Sequence, residues 1–142
     1  MKKILIIFLM LLLVGCKTST IKDNNISKGD DIINPIKIVI NDKEYNLNLE
    51  NNETVTKLLE ILPLDINMNE LNGNEFYTYL DSKLPINSYQ PKNIKKGDVM
   101  LYGDNCLVIF YKSFDTNYSY TKIGHIDDLP DLGSDNIKVE IK

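Results

Sequence analysis

The chain has no arginine and no tryptophan, and only one histidine, one glutamine and two cysteines in 142 residues. Without arginine, no mechanism is open that needs a planar guanidinium fork to grip a phosphate or carboxylate bidentately. The single histidine, His125, has no second imidazole and no cysteine at ligand spacing, so it is a poor zinc ligand. Gly97 and Gly103 stand singly at turns, so there is no glycine-rich phosphate loop. Positive charge is also scarce. Sixteen lysines face 20 acids for a net −4, and setting aside Lys2 and Lys3 leaves 14 against 20, a net −6. Nucleic acid demands clustered cations to neutralise its phosphates, so no nucleic-acid partner is expected. The longest apolar run, Ile4 to Val14, is eleven residues. A bilayer core of about 30 Å takes roughly 20, so this run is too short to span it.

What is present begins with that run. Met1-Lys2-Lys3 is basic, Ile4 to Val14 is unbroken and apolar, and Gly15-Cys16 follows at once. These are the n-region and h-region of a secretory signal. Leu13-Val14-Gly15-Cys16 resembles a lipobox, which implies cleavage before Cys16 and lipid, palmitate included, on its sulfur. An ordinary signal peptide cut near a cysteine by chance is the alternative. The expectation is a signal peptide over 1–15, a lipidated flexible tether over 16–34 and one domain over 35–142. It places the protein on the extracytoplasmic face of the cell membrane, anchored by acyl chains whose buried CH₂ groups each contribute about 0.8 kcal/mol. An acylated Cys16 leaves Cys106 without a disulfide partner. Cys106 heads the run Cys106-Leu107-Val108-Ile109-Phe110-Tyr111, where a free thiol is expected to be a small core hydrophobe. Segment 17–34 is rich in Lys, Asp, Asn, Ser and Thr with no helical or strand period, as a solvated spacer would be. The Asn-X-Ser/Thr triplets at Asn25, Asn52 and Asn117 read as chance in an Asn-rich chain.

The remaining roughly 105–110 residues suit one domain. Hydrophobic content of 43% with 25% charged residues supports a real core. Ile36 to Ile40 alternates, turns at Asn41-Asp42, and Tyr45 to Leu49 alternates again, predicting a hairpin. Val55, Leu58, Leu59 and Leu62 have helical spacing after Glu53-Thr54, and Pro63 ends the helix. Further strands are expected over Leu64–Met68, Glu75–Leu80, Val99–Tyr102, Cys106–Tyr111, Tyr120–Ile126 and Ile137–Ile141, with a loop from Pro85 to Lys96 and a short turn or helix near Asp127 to Leu132. Val99–Tyr102 and Cys106–Tyr111 are apolar on both faces and belong centrally, covered from both sides. About eight mostly antiparallel strands with one or two short helices predict a closed or nearly closed β-barrel.

The ordered blocks Leu62-Pro63-Leu64, Phe76-Tyr77-Thr78-Tyr79-Leu80, Gly97-Asp98-Val99-Met100-Leu101-Tyr102, Leu107 to Lys112 and Lys122 to Asp127 resemble a family of small bacterial cyclophilin-like domains. The resemblance covers Ile36 to Ile141 and implies a mainly antiparallel cyclophilin-type barrel with a helix over one end. It does not carry peptidyl-prolyl isomerase activity with it. Active cyclophilins use an arginine on the twisted prolyl amide. Here the corresponding strand, Phe76 to Leu80, offers Thr and Tyr, and the only glutamine is Gln90. A tyrosine hydroxyl can donate one hydrogen bond but brings no positive charge. No catalytic residue is assigned, since fold alone does not give function.

Asp127, Asp128, Asp131 and Asp135 gather near one turn but lack calcium-hand spacing, and neither a metal nor any other cofactor is expected. Tyrosine is the surplus: eight accompany four phenylalanines. A tyrosine gives a stacking face and a polar tip, suited to peptide or carbohydrate contact. Tyr77, Tyr79 and Tyr111 are the candidate groove residues, and the competing reading has the same rings filling the barrel or shielding its rim. The function expected is that of a membrane-anchored binding or accessory module for a peptide or small ligand. The alternative is a divergent isomerase or another extracytoplasmic enzyme.

Overall fold

The computed structural model describes residues 33–142. The leader over 1–15, Cys16 and the tether up to residue 32 lie outside the described residues. Strands β1 (Ile36–Ile40), β2 (Lys43–Leu49), β3 (Leu64–Leu71), β4 (Glu75–Tyr79), β6 (Asp98–Tyr102), β7 (Cys106–Phe110), β9 (Thr121–Ile126) and β10 (Ile137–Ile141) close into one barrel, and β5 (Asn93–Ile94) pairs with β8 (Phe114–Asp115) as a separate ribbon. One helix, α1 (Glu53–Glu60), lies between β2 and β3. Around the barrel the order is β1-β10-β3-β4-β7-β6-β9-β2, and every pairing is antiparallel. The expected closed, antiparallel β-barrel is what the chain forms. Asp127 to Leu132 forms a turn rather than a second helix.

Local chemistry explains the tight connections. Asn41 and Asp42 both have positive φ, 46° and 65°, which is the backbone of a two-residue hairpin turn between β1 and β2. Asn72 (φ 57°) and Gly73 (φ 71°) supply the positive-φ positions of the three-residue turn, Asn72 to Asn74, between β3 and β4. Asn52 caps α1, its Oδ1 accepting from the Val55 N–H at 2.9 Å. The same side chain donates to the Lys122 carbonyl at 2.8 Å and so ties the helix to β9. Val55 and Leu58 on the buried face of α1 join the interior of the barrel.

Strand alternation separates two apolar layers. Ile38, Ile40, Leu47, Met68, Phe76, Val99, Leu101, Leu107, Ile109 and Val139 point inward and form the main core. On the outer face of β6 and β7, Met100, Cys106, Val108 and Phe110 are buried as well, under Ile94, Phe114 and Tyr120. The ribbon β5–β8 and the segment leading to β9 therefore lie over the barrel as a second layer. That explains why the β6 and β7 runs are apolar on both faces.

Candidate functional site

A cleft of about 750 Å³ opens where the second layer stops short of β4. Its floor is the outer face of the sheet, with Glu75 and Tyr77 of β4 beside Cys106 and Val108 of β7. The register sets Tyr77 opposite Val108 and Tyr79 opposite Cys106, so these four side chains share one face. The far wall is the stretch from Phe114 to Tyr120, and the β3–β4 turn closes one end with Leu71, Asn72 and Asn74.

That far wall is held by main-chain pairing. Tyr89 and Tyr120 exchange N–H to O bonds at 2.9 and 3.0 Å, and the Thr116 N–H donates to the Lys92 carbonyl at 2.8 Å. Gln90 Nε2 donates to the Asn117 carbonyl at 3.1 Å, so the one glutamine braces the wall rather than lining the cleft. Asn93 Nδ2 donates to Asp115 Oδ1 at 2.6 Å across the ribbon. Tyr120 is 5% exposed and packs edge-on against Phe110 at 5.5 Å. Its hydroxyl is pushed up to about 12, chiefly by burial and then by the nearby Glu75 charge.

The mouth carries tyrosines with open faces. Tyr79 is 67% exposed, Tyr118 65% and Tyr102 48%. Tyr77 and Tyr79 meet edge to face at 6.0 Å, and Tyr102 and Tyr118 do so at 6.2 Å.

Of the three tyrosines singled out from sequence, Tyr77 and Tyr79 lie together on the cleft. Tyr111 does not. It is 2% exposed, stacks at 4.8 Å on Phe76 inside the barrel, and donates from its hydroxyl to Glu70 Oε1 at 2.9 Å. The physical reason is strand parity: Val108 faces the cleft, so Tyr111, three residues on, faces the interior. Sequence reasoning also missed Glu75. It stands two positions before Tyr77, and the strand period alone puts it on the same face.

Cys106 forms part of the floor and is 6% exposed. Burial, and after it the Glu75 charge, pushes its thiol up, which keeps it protonated and unreactive. His125 lies elsewhere, with Nδ1 at 3.0 Å from Asp98 Oδ1. Asp131 of the acidic turn accepts from the Gly133 N–H at 3.0 Å. Among the described residues, no three His, Cys, Asp or Glu side chains converge as metal ligands. No described helix is long and apolar enough to cross a membrane.

A model of the cyclophilin-like family matches residues 38–142. Among curated proteins, none matches the chain. The solution structure of a hypothetical protein from Archaeoglobus fulgidus superposes with a TM-score of 0.60 at 17% identity, covering 78% of this chain and 95% of that one. At that identity the likeness is one of fold.

Proposed function

The chain belongs to the cyclophilin-like family, and from that premise we propose that it is a lipid-anchored extracytoplasmic protein whose barrel captures a small ligand or peptide without transforming it. The clustering of exposed apolar groups carries the capture. Seven large hydrophobic side chains are exposed among the described residues, and four of them, Leu71, Tyr79, Tyr102 and Tyr118, line this one cleft. Scattered apolar exposure is ordinary, whereas apolar groups gathered around a concave site mark a binding surface.

The polarity of the cleft supports a role without catalysis. Twisting a prolyl amide leaves a lone pair on nitrogen that needs a donor. The lining offers only neutral donors, the tyrosine and threonine hydroxyls and the asparagine amides, beside the acids Glu75 and Asp115, and no lysine. The basic start, the apolar run Ile4 to Val14 and the lipobox-like Leu13 to Cys16 support the anchor, with segment 17–34 as its spacer.

Two measurements test the two halves. Intact mass of protein from its native host should give a chain beginning at an acylated Cys16, and Cys16→Ser should move the protein out of the membrane fraction. An unmodified Cys16 or a retained leader refutes the anchor. A proline-isomerisation assay on the domain should match the uncatalysed rate. Acceleration that disappears in Tyr79→Phe would show an enzyme instead.

A further inference from the structure

We infer that the cleft selects a small ligand carrying a protonated amine, with the Glu75 carboxylate as counter-ion and the rings of Tyr77, Tyr79 and Tyr102 as its aromatic lining. The inference rests on the reading of this cleft as a binding site and specifies what the site takes.

Charge is the first ground. Eleven of the lysines fall among the described residues, yet the cleft is lined by the acids Glu75 and Asp115 and by no lysine at all. None of the ion pairs among the described residues involves Glu75. Asp115 already has one oxygen engaged by Asn93, so Glu75 is the freer of the two acids. A half-buried carboxylate without a cation beside it attracts one from outside.

Hydrogen-bonding capacity is the second. Asn74 lines the same cleft, but its unpaired Oδ1 is buried out of reach of a ligand there, which leaves the Glu75 carboxylate and the tyrosine hydroxyl oxygens as acceptors. An ammonium group supplies three N–H donors and no acceptor, and the Glu75 carboxylate can only accept when ionised.

The rings are the third. Two edge-to-face tyrosine pairs border the cleft, and Tyr102 also packs against Tyr120 at 5.7 Å. Such corners present the electron-rich faces that attract an alkylammonium or ammonium ion. Burial, and then the charge of Glu70, raise the Glu75 carboxyl above its ordinary range, as expected of an acid still lacking its counter-ion.

The closed barrel and its core cluster lie within residues 33–142, so that segment is the species to test. Benzylamine and benzyl alcohol share a ring and differ in charge. Titrated by NMR, benzylamine should shift the signals of Tyr77, Tyr79 and Tyr102 and bind at least about tenfold more tightly than the alcohol, a difference of about 1.4 kcal/mol. Glu75→Gln should abolish that preference, and Glu75→Asp, which keeps the charge, should retain part of it. Equal binding of both probes, lost in Tyr102→Ala, would overturn the selection of amines while leaving the cleft as a binding site. Failure of both probes to shift any cleft signal would overturn both readings.

Discussion

Removing the Tyr111 hydroxyl should weaken the fold and leave the cleft untouched. The ring lies inside the barrel against Phe76, and its hydroxyl donates to Glu70 Oε1 at 2.9 Å. Tyr111→Phe keeps the ring and deletes only that bond. A hydrogen bond to a charged group contributes about 1.5–3 kcal/mol. Glu70 is only half-buried and also accepts from the Gly73 N–H, so the lower end applies, about 1.5 kcal/mol. For a domain of this size that lowers the melting temperature by about 6 °C. A pH dependence accompanies it. Burial first, then the Glu70 hydrogen bond and charge, push the Tyr111 hydroxyl up to about 12. Between the ordinary tyrosine value of about 10 and that raised value, the folded chain keeps a proton that the unfolded chain gives up. Stability conferred below this window is therefore lost as pH rises through it. The variant should show a shallower alkaline decline, the remainder coming from other groups raised in the fold, among them Tyr120, whose hydroxyl is also pushed up to about 12, and the Cys106 thiol. Thermal melts across that range and a probe titration at neutral pH decide the matter. An unchanged melting temperature, or probe binding lost in Tyr111→Phe, would refute the placement of this ring in the interior.

Gly124→Ala attacks the barrel seam. A Cβ there would lie 2.2 Å from the Asn48 carbonyl oxygen, which is backbone and cannot rotate away. The β2–β9 seam consists of three residue pairs, so displacing one strains all of it. A loss of about 3 kcal/mol is expected from overpacking, seen as a fall of about 12 °C in melting temperature; a melt like that of the wild type would sink this. Glu75→Gln should act in the opposite sense on stability. The folded carboxyl is raised above its unfolded value, so the folded state binds the extra proton and stability declines as pH climbs through the raised value. The glutamine variant should therefore melt at or above the wild type at neutral pH and lose that advantage in acid. A neutral-pH melt clearly below wild type would contradict the assignment.

How much of this was legible beforehand depends on where each signal lies. Each of the eight barrel strands coincides with a run found by alternation or β-propensity, because a half-buried strand prints its period on five or more residues. The ribbon β5–β8 was missed, since Asn93–Ile94 and Phe114–Asp115 are too short to display any period. Yet this ribbon helps form one wall of the cleft, so the site depended on the least legible part of the fold. Tyr111 was misplaced for a related reason. Where one face of a strand is wet, polarity distinguishes inside from outside. On β7 both faces are dry, Leu107 and Ile109 in the barrel and Cys106, Val108 and Phe110 under the second layer. Apolar character then says nothing about parity, and only a cross-strand register can supply it. Once Tyr77 is set opposite Val108, every other side chain on β7 follows, Tyr111 included. The chemistry of the site was nearer the surface of the sequence than its location. The surplus of tyrosine and the excess of acid seen in the composition are what the cleft concentrates, in the rings of Tyr77, Tyr79 and Tyr102 and in Glu75 and Asp115. The fold brings tyrosines from β4, β6 and the segment before β9 around Glu75, and so turns a composition into a site.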